Sequence, residues 1–337
     1  MHRASLVLLA SLFAYGATFE ESFRAGLVAL QQGDLTNAAT NLRAASALAP
    51  GNGRVWIALA QTYRKLHQDA QAEEAASQAA KFAPDDKVVQ QSLAIYYSET
   101  GATLKAAAAQ TKYAALSPAD AFARERAETL YFEAAQPLLQ REKFAEAIQI
   151  LAPARAKLPG SAQLELALGV AYYGLRRFDE AAQAFLRTIE IAPGIEQPYL
   201  FLGRFLDQVP NRLPEATKRF AEFETLRPSS PIGYLQHARA LDAQSQEPER
   251  AAELLNKAIS LNDRDAAAHF ELGTVLDRLQ RFDNAASEFA RAADLDPKDA
   301  AAHYRLARDY DRLGKPAEAQ AERDKHAALV KSQDAAR

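Results

Sequence analysis

The 337-residue chain contains no cysteine, which excludes disulfides, thiolate metal sites, cysteine nucleophiles and a lipid-bearing cysteine near the N-terminus. With 14 Gly and 15 Pro it is neither a glycine-rich linker nor a proline-rich extended chain. An excess of one charge is also missing: 40 Lys and Arg stand against 43 Asp and Glu, a formal net charge of −3. There is thus no global basic field to attract nucleic acid or an acidic membrane surface. No P-loop, GxGxxG, GxSxG or HExxH spacing occurs, so the sequence offers no phosphate cradle, dinucleotide turn, serine elbow or zinc-binding histidine pair. The expectation is a protein without catalytic residues, cofactor or metal.

What is present begins with a distinct N-terminal segment. His2 and Arg3 precede the apolar run Leu6 to Tyr15, and Ala14 and Gly16 supply small residues two apart, the pattern of a signal peptidase site. Residues 1–16 are therefore expected to be a secretory signal, with the mature chain starting near Ala17 or Thr18 and exported to the periplasm or medium of a bacterium. The run is shorter than the roughly 20 apolar residues that span a bilayer. An uncleaved anchor, which would leave the protein membrane-associated, is the alternative. No later segment is apolar enough to cross a membrane.

The remainder is written in a repeating register. Pro50, Pro84 and Pro118 are 34 apart, Pro159 and Pro193 are 34 apart, and Pro228 follows after 35. Filling in between gives nine repeats, at 19–52, 53–86, 87–120, 128–161, 162–195, 196–230, 231–265, 266–299 and 300–333, with a four-residue tail at 334–337. In the stretch Ala266 to Asp299, Leu272, Gly273 and Leu276 share one helical face and Ala285, Phe289 and Ala292 share another, the spacing of two amphipathic helices. Every repeat has a small eighth residue, from Gly26 and Ala60 to Gly273 and Ala307, and alanine where its second helix begins, from Ala38 to Ala319. Asn52, Asp86, Asp120, Ser161, Ser230, Asp265 and Asp299 precede new repeats as N-caps. Only Ile195 departs, and there Pro198 suits the first turn of the next helix. Seven extra residues at 121–127, without Gly or Pro, are expected to lengthen the first helix of the fourth repeat by about two turns. One-residue insertions fall around Pro210–Asn211 and Gln246–Pro248, in expected turns. Arg323 and His326 give the last helix the polar outer face of a terminal cap.

A small eighth residue, alanine twentieth, an aromatic twenty-fourth, alanine twenty-seventh and proline thirty-second in a 34-residue unit resembles the tetratricopeptide repeat. The resemblance implies an all-α fold, a right-handed α-superhelix of nine helix-turn-helix units, and a binding scaffold. Repeats 19–52 and 87–120 match least, because their fourth position, commonly Trp, holds Ser22 and Gln90. His269 and His303, one repeat apart at that same position, are read as packing residues and not as metal ligands.

The resemblance also implies that first-helix positions two, five, nine, twelve and thirteen line a concave face. From the sixth repeat on, position nine holds Arg204, Arg239, Thr274 and Arg308, and position twelve holds Asp207, Asp242, Asp277 and Asp311. Two readings stand side by side. The seven charged residues either pair along their own helices three apart or form a two-sign stripe that reads a charged peptide by register. The more apolar inner face around Phe23, Leu27 and Ile57 is the fallback site. The Asn and Lys of the carboxylate clamp in chaperone-binding members are absent from this ladder. The function expected is a non-catalytic interaction scaffold of the bacterial envelope for a protein or peptide segment. Alternatives are an accessory subunit of an envelope enzyme or of a polysaccharide or secretion assembly, and, disfavoured by charge and export, an RNA-binding helical repeat.

Overall fold

A computed structural model describes residues 18–335; the expected signal at 1–16 lies outside them. Among the described residues the regular structure is helical throughout, eighteen α-helices and two 3₁₀ turns with no strand. The pairs in order are α1 (Phe19–Gln32) with α2 (Leu35–Leu48), α3 (Gly53–Lys65) with α4 (Asp69–Phe82), and α5 (Lys87–Glu99) with α6 (Thr103–Leu116). Next come α7 (Ala121–Gln140), α8 (Phe144–Lys157), α9 (Ala162–Gly174) with α10 (Phe178–Ile191), and α11 (Gln197–Gly203) with α12 (Leu213–Leu226). The series closes with α13 (Pro231–Ala243) and α14 (Pro248–Leu261), α15 (Ala266–Arg278) and α16 (Phe282–Leu295), and α17 (Ala300–Arg312) and α18 (Pro316–Ala335). None of these helices is long and apolar enough to cross a membrane. The residues fall into two compact parts, one reaching to Pro137 with Ala156–Leu158, the other comprising Leu138–Arg155 and the chain from Pro159.

Local chemistry sets the boundaries. Second helices end two residues before the proline of their repeat, as α10 does at Ile191 before Pro193 and α16 at Leu295 before Pro297, because proline disfavours helical geometry in the residue ahead of it. First helices start on capped N-termini: Asp86 accepts from the Val88 N–H at 2.9 Å, Asp265 from Ala267 at 3.0 Å and Asp299 from Ala301 at 2.8 Å. Ser230 precedes α13 without capping it. The extra residues at 121–127 belong to the continuous 20-residue helix α7.

The turn inside each repeat has a chemistry of its own. One residue takes a left-handed conformation there: Gly33, His67, Gly101, Glu142, Arg176, Ser245, Gln280 and Gly314. The next N–H then reaches back to a carbonyl five residues earlier, as Gln68 does to Tyr63 at 2.9 Å and Arg281 to Leu276 at 2.9 Å. This is the Schellman closure, which satisfies orphan carbonyls at the helix end. The sixth repeat has no such residue. Its first helix stops at Gly203 after seven residues, and two 3₁₀ turns, Leu206–Gln208 and Pro210–Arg212, carry the chain to α12. The expectation of a full-length first helix is corrected here: the inserted residue does not sit in a turn between two intact helices but goes with a helix that ends early.

Small residues let the helices of a pair approach. Ala38, Ala181, Ala216, Ala251 and Ala285 are fully buried. A Cβ on Gly169 would lie 2.5 Å from the Phe185 ring, and one on Gly273 2.8 Å from the Phe289 ring. In the second part the core runs on from repeat to repeat, with Leu235, Leu254, Leu272, Val275 and Phe289 in one buried cluster. Burial of this kind contributes about 25 cal/mol per Å² of apolar surface and is shared between the partner helix of the same repeat and the repeat beside it.

Candidate ligand groove of repeats six to eight

The charged ladder lies on the first helices α11, α13, α15 and α17, all in the second compact part. Its members do not pair along their own helices as Arg–Asp three apart. Three of them, Arg239, Asp242 and Asp277, pair with the next repeat. Asp242 of α13 pairs with Arg278 of α15, whose Nη2 donates to one carboxylate oxygen at 3.1 Å and whose Nη1, 2.8 Å from the other, donates to the Asp242 backbone carbonyl at 3.3 Å. One repeat on, Asp277 accepts from Arg312, and Arg305 stands 3.8 Å away. Arg239 donates through Nε to Glu271 at 2.9 Å, both side chains being 23% exposed. Asp311 ends the series by accepting from Arg323 of α18 at 2.7 Å. The same connection occurs in the first compact part with its charges exchanged: Arg64, at position twelve, meets Glu99, at position thirteen of the next repeat, at 2.5 Å.

The ends of the ladder are different. Arg308 lies over the Tyr304 ring at 5.9 Å and Arg204 over the Phe201 ring at 5.5 Å, and neither makes an ion pair among the described residues. Asp207 sits in the first 3₁₀ turn, where it accepts only from the Gln208 amide at 2.7 Å. Position thirteen of the next repeat, which supplies Arg278 and Arg312 elsewhere, is Ala243. Asp207 therefore lacks the arginine that its equivalents have.

These features meet in a hollow of about 470 Å³ that brings together Arg204, Asp207, Arg239, Asp242 and Glu271 and is floored by Gly203 and Leu206. Asp277, Arg308 and Asp311 do not line it. Burial pushes the Asp242 carboxyl upward, against the pull of Arg278 and Arg305. Chemically the hollow offers one exposed guanidinium and one exposed carboxylate beside two neutralised pairs, an arrangement that can bind a segment of mixed charge. In the fallback region Leu27 is exposed, but Phe23 is half-buried on Phe19 and Ile57 is buried, so the apolar face there is smaller than the sequence suggests.

The histidines at position four are packed. His269 Nδ1 lies 2.6 Å from Glu288 and Nε2 3.2 Å from the Asp263 carbonyl, and His303 Nδ1 lies 2.5 Å from Glu322. Among the described residues no three His, Asp or Glu are placed to hold a metal ion.

Tetratricopeptide repeat profiles match residues 29–95, 138–200 and 235–300, together more than half of the sequence. The chain belongs to the tetratricopeptide repeat family. No curated protein sequence matches it. Similar solved structures include PilF of Pseudomonas aeruginosa, 20% identical over 59% of this chain and 90% of that one with a TM-score of 0.48. MamA of Desulfovibrio magneticus is 20% identical over 51% and 96% with a TM-score of 0.44, and YrrB, described as having an unusual peptide-binding site, is 21% identical over 53% and 91% with a TM-score of 0.39. Tetratricopeptide repeat proteins are as a class non-catalytic scaffolds that bind proteins or peptides.

Proposed function

We propose that this chain is an interaction scaffold of the bacterial envelope that holds a peptide or protein segment of mixed charge at the broken first helix of the sixth repeat. Arg204 and Asp207 make the discriminating contacts, and Arg239, Asp242, Asp277, Arg308 and Asp311 form the rest of the polar face. One observation carries the reading: Arg204 and Asp207 stand side by side in the hollow without ion-pair partners, while the flanking rungs are already neutralised within the protein. A charge that is solvated in the free protein is available to a ligand, whereas a paired one must first be released.

Selection from a random peptide library tests this. The native protein is expected to enrich peptides with an acidic and a basic residue close together, and the exchanged variant Arg204→Asp with Asp207→Arg to enrich the opposite order. Identical peptides from both proteins would show that the hollow does not read charge. Export is part of the proposal and rests on the charged start and short apolar run of residues 1–16. N-terminal sequencing of the protein from its native host is expected to begin near Ala17 or Thr18. A chain starting at Met1 in the soluble cytoplasm would end that part.

A further inference from the structure

A second hollow, of about 620 Å³, opens where α16, α17 and α18 meet, away from the charged groove. Its walls are largely apolar, including Ala290, Ala293, Leu306 and Leu329. One repeat earlier the places of Ala290 and Ala293 are taken by Asn256 and Ile259, and Ile259 packs into the core. The hollow thus appears where two larger side chains have become alanine.

Position four explains what it lacks. Trp56 donates through its indole N–H to the Pro50 carbonyl at 2.7 Å, and the Tyr199 and Tyr234 hydroxyls donate to Pro193 and Pro228 at 2.9 and 3.2 Å, six residues back in each case. His269 keeps the connection through Nε2. In the ninth repeat the residue is His303, only 5% exposed, whose one side-chain hydrogen bond among the described residues joins Nδ1 to Glu322. The carbonyl six residues back belongs to Pro297, which lines the hollow and receives no hydrogen bond from a described side chain. Where position four carries Trp or Tyr this carbonyl accepts an N–H or O–H from it, and in the ninth repeat it is left open to a donor from another chain. Asp294 and Glu322 outweigh Lys325 around the opening, so the donor should carry no negative charge.

We propose that this hollow takes a tryptophan or tyrosine side chain of a partner segment, which packs between α16 and α18 and donates its N–H or O–H to Pro297, as Trp56 and Tyr199 do within their own repeats. The volume lies within the ordinary range for pockets that enclose small organic groups, and aromatic anchors in such pockets dominate many interfaces.

The test is a ¹H–¹⁵N NMR titration of the exported chain with N-acetyl-tryptophanamide, N-acetyl-tyrosinamide and N-acetyl-phenylalaninamide. Saturable shifts confined to α16–α18 are expected, with the tryptophan and tyrosine compounds about 3- to 10-fold tighter than phenylalanine, the effect of one net hydrogen bond. The variant Ala290→Asn with Ala293→Ile, which restores the side chains of the preceding repeat, should remove binding, and Leu329→Ser at the rim should weaken it. No saturable shift with the native chain, equal binding of the phenylalanine compound, or unchanged binding by a folded Ala290→Asn/Ala293→Ile variant would each overturn the assignment.

Discussion

Arg278 of α15 reaches back to Asp242 of α13, 36 residues earlier, with Nη2 donating to a carboxylate oxygen at 3.1 Å and Nη1 to the backbone carbonyl at 3.3 Å. The pair joins position twelve of one repeat to position thirteen of the next, and it recurs as Asp277 with Arg312 and, with the charges exchanged, as Arg64 with Glu99. A link tolerant of either polarity depends on the geometry of stacked helices and on opposite charge, not on a particular ligand. It ties neighbouring first helices together at the edge of the shared core.

Exchange of the pair is therefore expected to be tolerated where single removal is not. Arg278→Ala leaves Asp242, 19% exposed, without its cation, and should cost about 1–3 kcal/mol. Asp242→Arg with Arg278→Asp should recover at least half of that in a double-mutant comparison of chemical denaturation. Failure of the exchange to recover stability would make the pair specific in a way that Arg64–Glu99 argues against.

Asp309 predicts a pH dependence. It is buried, its Oδ2 has no hydrogen-bond partner, and Arg312, its ion-pair partner, is shared with Asp277. Burial first, and then the Asp277 charge, push its carboxyl up to about 6 against the pull of Arg312 and Arg308. A carboxyl raised in the folded state binds more protons there than in the unfolded chain, so this group favours folding as pH falls from about 7 toward 4. Asp309→Asn should accordingly stabilise at pH 7.5, by about 2 kcal/mol, with the advantage shrinking through pH 6 and vanishing near pH 4. Parallel stability curves for the two proteins between pH 4 and 7.5 would refute it.

The left-handed turn residues give a simpler stability prediction. Gln280 has a φ of 60° and Arg176 one of 59°, where Gly33 and Gly314 serve in other repeats. Non-glycine residues pay about 1–2 kcal/mol for that conformation, and glycine loses part of the advantage through its freer unfolded chain. Gln280→Gly should raise stability by about 0.5–1 kcal/mol, measurable as a higher denaturation midpoint with unchanged slope. A lower midpoint would mean that the Gln280 side chain contributes contacts that outweigh the strain.

The architecture was legible because alanine recurs in every repeat, and proline and cap residues in most, for steric reasons that act within a few residues. Pro193, Ala181 and Asp265 can be interpreted without knowing the rest of the fold. The ladder was legible only as a pattern. That Asp242 meets Arg278 and not Arg239 depends on the stagger between α13 and α15, which no spacing inside one helix encodes. The early end of α11 was hidden for a similar reason: Leu206, Asp207 and Gln208 continue the repeat register acceptably. The one available signal was the extra residue before Pro210, and that signal fits an ordinary turn equally well. The left-handed turns were obscured because only Gly33, Gly101 and Gly314 among them are glycine.

Gly203 ties that irregular helix end to the groove. At Gly169 and Gly273 the missing Cβ makes room for an aromatic ring of the same repeat, but at Gly203 the space is taken by Gln236 of the next repeat, whose Oε1 would lie 1.6 Å from an added Cβ. Gln236 is almost fully buried and that oxygen has no hydrogen-bond partner, so it has little freedom to retreat. Gly203→Ala should then push the amide aside and displace α11 from α13, at a cost of about 1–3 kcal/mol from overpacking. Because Gly203 floors the hollow between Arg204 and Arg239, peptide selection should weaken in the same variant. Adding Gln236→Ala empties the contested space and removes the unpartnered oxygen, and should restore stability to near that of the native protein. If Gly203→Ala alone proves neutral in denaturation, Gln236 does not confine this position and the groove does not depend on it.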